Sequence, residues 1–310
     1  MAVTMKGKDI LSIHELTREE VAQILETAKI LKLKQLTGEL FQPLRGKTLG
    51  MIFQKSSTRT RISFEVAMWQ LGGYALFLNT ADLQLNRGET VSDTARVLSR
   101  YLDALMIRTY AHQEVCDLAA GSTVPVINGL TDLFHPCQAL TDLFTIAEKK
   151  GALAGLNLVY LGDGNNMAHS LMFGGAKVGL NVTVCCPPGY QPDPEIVEQA
   201  RADARESGAA IVIEHEPAAA VVQADIIYTD VWASMGREEE HDARVKSLSP
   251  YQVNRALLER AGKETLVMHC LPAHRGEEIT DEVMDHPRSI VFDQAENRLH
   301  LQKAILSLVI

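Results

Sequence analysis

The chain is 310 residues long, more than one ordinary hydrophobic core organises, so two domains are expected. With 46% hydrophobic and 22% charged residues it has a globular composition, and no apolar run is long enough to cross a bilayer. A formal net charge of −9 argues against a general nucleic-acid binder, which needs a positive field, so any anionic ligand must be held by local basic groups.

The opening stretch, MAVTMKGKDILSIHELTREE, lacks the apolar centre of a signal peptide and carries acids early, which points to the cytoplasm. From residue 48 onward, short β-branched runs alternate with amphipathic stretches, the pattern of parallel βαβ units. TLGMIFQ (48–54) reads as a strand, 59–72 as a helix and YALFLN (74–79) as the next strand. Val91, Ala95, Leu98 and Leu102 share one face of a helix over 89–102. ALMIR (104–108) and VPVIN (124–128) read as strands, and a helix opens at Pro136 and closes at Gly151.

A second series begins at LNLVYLGDG (156–164), continues through a helix of small residues (167–179), and adds strands in NVTVCC, AAIVIEH, ADIIYTD and TLVMHCLP. SIVFDQ and the amphipathic tail AENRLHLQKAILSLVI follow. The expectation is therefore an α/β protein of two doubly wound parallel-sheet domains joined by interdomain helices. The stretch 232–250 is polar and weakly periodic, and reads equally as a mobile binding loop or a solvated surface loop. Met167 and Phe173 read as core.

The five cysteines show neither a CxxC pair nor Cys/His spacing suited to zinc, so disulfides and a structural metal are not expected. Two glycine motifs fail as nucleotide sites. RGKT (45–48) has Phe41 where a P-loop needs its first glycine. In Gly162-Asp-Gly-Asn-Asn-Met167 a methionine stands at the third glycine of a dinucleotide fingerprint, and the next strand ends in Cys185-Cys186-Pro187 rather than an acid. No cofactor is expected.

The run Lys55-Ser56-Ser57-Thr58-Arg59-Thr60-Arg61, between a strand and a helix, is different. A helix mouth attracts anions, and here hydroxyls and guanidinium forks add donors matched to phosphate oxygens. A helix N-cap would use one such hydroxyl; four hydroxyls with two arginines read as an anion site.

Four separated stretches, SSTRTR (56–61), FHPCQ (134–138), DVWASMG (230–236) and HCLP (269–272), resemble the signature motifs of the carbamoyltransferase family, and the last two its ornithine branch. They span nearly the whole chain in the family's order. The resemblance implies a carbamoyl phosphate domain (1–135, with a C-terminal helix of about 294–310 packing back on it), an ornithine domain (150–293), and a homotrimer with shared active sites. It implies transfer of a carbamoyl group to the δ-amine of L-ornithine, with no metal or cofactor. A related amine such as acetylornithine or putrescine is the alternative substrate, and a non-catalytic anion-binding protein of the same fold the alternative function. Aspartate is disfavoured, because no lysine occurs between residues 80 and 90, where the aspartate branch carries one.

Residue by residue, the resemblance implies that carbamoyl phosphate is bound by Ser57, Thr58, Arg59, Thr60, Arg108, His135, Gln138, Cys270, Leu271 and Arg298, with Gln84 donated by an adjacent subunit. It implies that Asn166, Asp230, Ser234 and Met235 bind ornithine, and that Arg108, His135, Asp230 and Cys270 take part in catalysis. Without the resemblance, Arg108 reads as a strand-end ion pair, His135 as a cap or core histidine, Cys270 as packing and Arg298 as part of a solvated helix face.

Overall fold

In a computed structural model, which describes residues 3–83, 88–232 and 241–310, the chain divides into two compact units. Unit 1 is Met1–Phe144 with Glu296–Ile310, and unit 2 is Thr145–Ala295.

Unit 1 opens with α1 (Arg18–Leu36), then β1 (Thr48–Phe53), α2 (Thr58–Gln70), β2 (Tyr74–Asn79), α3 (Val91–Leu98), β3 (Ala104–Arg108), α4 (His112–Gly121), β4 (Val126–Leu130) and α5 (Pro136–Lys150), within which the chain passes into unit 2. The strands form one parallel sheet in the order β2-β1-β3-β4. Ile10 adds a parallel bridge to Ile127 and covers the β4 edge, with Ile10 N–H on Val126 O and Asn128 N–H on Ile10 O, both at 2.9 Å. β1 and β3 are the inner strands and are buried almost throughout, as in parallel sheets covered on both faces, which is why they read as unbroken apolar runs.

Unit 2 contains β5 (Asn157–Leu161), α6 (Asn166–Val178), β6 (Asn181–Cys185), α7 (Pro194–Ser207), β7 (Ile211–Glu214), α8 (Pro217–Ala220), β8 (Ile226–Thr229), α9 (His241–Leu248), α10 (Arg255–Ala261), β9 (Leu266–His269) and α11 (Asp281–Met284). The helix α12 (Val291–Val309) then returns the chain to unit 1. This second sheet is also parallel, in the order β7-β6-β5-β8-β9. The small residues of α6 let it lie close to β6: a Cβ on Gly175 would stand 2.5 Å from Val182 Cγ2. Met167 and Phe173 are buried.

The α/β expectation holds, with two parallel sheets. Three local readings change. α1 was not foreseen, although Thr17 and Glu20 form a reciprocal capping box that announces it. VFDQ lies inside α12 rather than in a separate segment. The polar stretch after residue 240 is helical over α9, because the buried Arg244 anchors it to Asp163 and to the carbonyl of Trp232.

Each sheet has one place where successive connections leave in opposite directions. In unit 1 this lies between β1 and β3; in unit 2 it lies between β5 and β8. Such switch points open a crevice beyond the carboxyl ends of the strands, where ligands of open α/β sheets bind.

Candidate active site

At the switch point of unit 1, β1 hands over to Lys55–Ser57 and α2, while β3 ends in Arg108. The two strand ends are laced together by Gln54 N–H on Arg108 O at 2.9 Å. Ser57 is the N-cap of α2, and its Oγ accepts the Thr60 N–H at 3.2 Å. One hydroxyl of the run therefore caps the helix. Thr58 is the first helical residue, and the first-turn N–H groups point out along the axis.

Thr60 is buried and its Oγ1 accepts from Arg298 Nη2 at 3.1 Å. Arg298 Nη1 donates to Gln138 Oε1 at 2.6 Å, and Gln138 Nε2 donates to Asp142 Oδ1 at 2.8 Å. The chain of bonds fixes the amide orientation of Gln138 and the position of the guanidinium. Arg298 is 3% exposed, so the solvated-face reading of its helix is wrong. Arg108, at the end of β3, is buried too and is not a surface ion pair.

His135 lies just before α5 and is buried. Burial, reinforced by the positive charges of Arg298, Arg108 and Arg59, holds its pKa well below the usual histidine range. The imidazole is neutral near pH 7 and has a ring N–H to donate. Arg59 thus acts on the same ring as Arg108 and Arg298. Arg61 does not join this group: its guanidinium lies 3.8 Å over the Phe77 ring and its Nε pairs with Glu65 at 3.0 Å. The anion cluster draws on one arginine of that run, not two. Lys55, which opens that run but has no role in the family resemblance, is buried, with Nζ 3.0 Å from Asp132 and 4.6 Å from the Tyr110 ring centre. Its position directly after a strand end was the available signal.

At the switch point of unit 2, Asp230 directly follows β8. Its Oδ1 accepts from Cys270 Sγ at 2.9 Å and from Val231 N–H at 2.8 Å, and its Oδ2 accepts from Asn165 Nδ2 at 2.9 Å. Asn165 is the N-cap of α6. Its Oδ1 takes the N–H groups of Met167 and Ala168 and the Tyr160 hydroxyl, which forces the amide nitrogen toward Asp230. The residue that touches Asp230 is therefore Asn165; Asn166 is the first residue of α6. The signal for Asn165 was its N-cap position after a strand and a glycine pair.

Cys270 follows β9 and is half-buried. Leu271 has φ +58°, a left-handed conformation that costs a non-glycine residue roughly 1–2 kcal/mol. Its N–H donates to His269 Nδ1 at 2.8 Å, so His269 carries its proton on Nε2, which donates to Glu278 Oε1 at 2.9 Å. Asp230, His269 and Cys270 together present a donor set that suits a metal ion. Both His269 nitrogens are already engaged, however, so a metal there would have to break one of these bonds. Gln84, Ser234 and Met235 lie outside the described residues.

Comparison with known proteins matches residues 8–148 to the carbamoyl-P binding domain, and residues 154–309 to the Asp/Orn binding domain, of aspartate/ornithine carbamoyltransferase. The ornithine carbamoyltransferase of Thermococcus kodakarensis is 58% identical over 309 residues, covering 100% of this chain and 98% of that protein. The anabolic ornithine carbamoyltransferase of Pyrococcus furiosus is also 58% identical with the same coverage. Among solved structures, ornithine carbamoyltransferase from Pyrococcus furiosus superposes with a TM-score of 0.97 at 58% identity, covering 99% of this chain and 98% of that one. The enzyme from Gloeobacter violaceus gives 0.88 at 48% identity, covering 99% of each. The chain belongs to the aspartate/ornithine carbamoyltransferase family.

Proposed function

We propose that this chain transfers the carbamoyl group of carbamoyl phosphate to the δ-amine of L-ornithine, giving L-citrulline and phosphate, in the cytoplasm and in the direction of arginine synthesis. The observation that carries the reading is the buried group in unit 1 in which Arg298 bonds Thr60 and Gln138 while Arg59, Arg108 and Arg298 all bear on a neutral His135. A doubly charged phosphoryl group is the ligand that such a cluster accepts.

In this reading the start of α2 (Ser57, Thr58, Arg59, Thr60) takes the phosphate, helped by Arg108 and by Gln84 of a neighbouring subunit. Thr60, Arg108 and His135 face the carbonyl oxygen, and Gln138, Cys270, Leu271 and Arg298 complete the carbamoyl phosphate contacts. Negative charge grows on that oxygen as the tetrahedral intermediate forms, and each well-placed donor is worth roughly 3 kcal/mol there. In unit 2, Asp230 and Ser234 take the α-ammonium of ornithine, while Asn166 and the backbone at Met235 take its carboxylate.

The δ-amine, whose reference pKa is about 10.4, must lose a proton before it attacks, and a partly dry site favours that loss. The proton passes to the Asp230–Cys270 pair or to the departing phosphate, which leaves as a stabilised anion against the arginines. The amine is a competent nucleophile and phosphate a good leaving group, so no covalent enzyme intermediate is required. Holding the two ligands together supplies the largest gain, roughly 7–11 kcal/mol in favourable cases.

We also propose a homotrimer. The β2 edge carries Tyr74, Leu76 and Phe77 exposed, with Ile62 and Trp69 of α2 beside them, an apolar face that an adjoining subunit would cover. A citrulline assay with ornithine, acetylornithine, putrescine and aspartate tests the substrate; preferred turnover of any but ornithine overturns it. Mixing Arg59→Ala and Gln84→Ala proteins tests the assembly. Partial recovery of activity is expected of shared sites, and none of independent ones.

A further inference from the structure

The second unit carries a cluster that the transfer reaction does not use. His241 begins α9, while His274 and Glu277 lie in the turn that follows Pro272. Glu277 Oε2 is 3.2 Å from His241 Nε2 and 3.5 Å from His274 Nδ1. One donor atom from each of the three falls within 4.8 Å of the other two. Tetrahedral zinc with bonds of 2.0–2.1 Å sets its donor atoms about 3.3–3.4 Å apart, close to the 3.2 and 3.5 Å that separate Glu277 from the two histidines.

The geometry points to a peripheral binding site for a divalent transition-metal ion, Zn²⁺ by its donor chemistry, held by His241 Nε2, His274 Nδ1 and Glu277, with water in the fourth position. Imidazole with carboxylate is a donor set for late first-row ions rather than for Ca²⁺ or Mg²⁺. Each of the three side chains is partly exposed, which leaves room for the water and a route for the ion.

Two further features support the assignment. The other nitrogen of His241, Nδ1, lies 3.4 Å from Asp242 Oδ1, and a carboxylate behind a histidine ligand is the usual device for fixing its tautomer and raising its basicity. The turn is built in advance. Glu277 N–H closes on His274 O at 2.9 Å, Gln252 Nε2 clamps the carbonyls of Gly276 and Glu277 at 2.9 and 2.7 Å, and His274 N–H is held by the buried Glu278 at 2.6 Å. The backbone that carries two of the three ligands is thus already fixed. The ion joins the first residue of α9 to the segment beyond β9. The competing account is a set of plain histidine–carboxylate ion pairs, which would bind no metal.

The test is a titration of the full-length protein, stripped with chelator, with Co²⁺ followed by absorption and with Zn²⁺ followed by calorimetry. Wild type should take up an ion showing ligand-field bands of nitrogen and oxygen donors, without thiolate-to-metal charge transfer. His274→Ala and Glu277→Gln should each weaken that binding at least tenfold, and Asp242→Asn should weaken it roughly tenfold, at the low end for an outer carboxylate. These side chains are partly exposed, and circular dichroism checks that each variant is folded. Superimposable titrations of wild type and His274→Ala would overturn the site. So would a spectrum dominated by thiolate charge transfer and abolished only by Cys270→Ser, which would place the ion at Asp230 and Cys270 instead.

Discussion

Thr60 offers a clean separation of structure from chemistry. Its Oγ1 accepts from Arg298 Nη2, so a lone pair is committed to the protein and the hydroxyl proton turns elsewhere; in the proposed reading it meets a ligand oxygen. Thr60→Val keeps the shape and removes that hydroxyl. A buried guanidinium N–H then loses its acceptor, at a cost of roughly 1–3 kcal/mol of stability. Thr60→Ser keeps the hydroxyl and deletes one buried methyl, which costs about 0.5–1.5 kcal/mol. Helix propensities of Thr, Ser and Val differ by only a few tenths of a kcal/mol, so α2 itself contributes little to either value. The two variants should therefore lie close in urea-melt stability and far apart in turnover: Thr60→Val should lose about 10²–10³ in kcat, the value of one oxyanion donor, while Thr60→Ser stays within about tenfold of wild type. Phosphate release and citrulline formation, measured at saturating carbamoyl phosphate, read this directly. Turnover of Thr60→Val within threefold of wild type, or equal losses in both variants, would refute the argument.

Burial and three arginines keep His135 unprotonated in the folded chain, whereas the unfolded chain takes up a proton near pH 6.5. Acid therefore favours the unfolded state, and this contribution, whole above about pH 6.5, is lost as pH falls below it. His112 and His300, also depressed by burial, act with the same sign, so the fall in urea midpoint from pH 7 to pH 5.5 should be shallower in His135→Gln than in wild type but not absent. Asp230→Asn sets an amide against groups that donate from both sides; because Asn165 cannot turn without giving up its cap, a loss of roughly 1–3 kcal/mol by denaturant melt and a raised KM for ornithine are expected. Gly164→Ala would place a Cβ 2.1 Å from Pro192 N and 2.4 Å from Gln191 C, so the loop carrying Asn165 must move; thermal melting should fall by the equivalent of about 1–3 kcal/mol, with ornithine KM rising more than that for carbamoyl phosphate.

What was legible in the sequence follows from what local pattern encodes. Strands buried between two others, such as ALMIR and NLVYL, announce themselves as apolar runs whatever their partners. Strand order does not, since it depends on which edge each crossover returns to, and so the two switch points were invisible before the fold. YALFLN illustrates the limit. It reads simply as a strand, and nothing in it announces that β2 is an edge whose residues are exposed or half-exposed in the single chain. The helix α12 misled in the opposite sense: Asn297, Arg298, His300, Gln302 and Lys303 are all buried, although polar and charged side chains of this kind read as solvated. Only contacts distant in sequence, Arg298 to Thr60 and Lys303 to Gln35, distinguish the two cases.

The charge of the two crevices bears on why a chain of this length carries two sheets. The switch point of unit 1 gathers Arg59, Arg108 and Arg298 around a neutral histidine, whereas that of unit 2 presents the carboxylate of Asp230, held by Asn165 and Cys270. A transferase whose donor is a dianion and whose acceptor arrives with two ammonium groups needs both signs at fixed positions. One crevice lined by both would let its own ion pairs close in the absence of ligand, and each substrate would then have to break a buried pair before binding. A doubly wound sheet offers one crevice at its switch point, so two sheets allow each sign its own. The positive crevice is costly to build because its arginines repel one another and two of them, Arg108 and Arg298, are buried. The protein meets that demand locally, by tying Arg298 to Thr60 and Gln138 and by leaving His135 uncharged, so that like charges are held in place before the phosphate arrives to neutralise them.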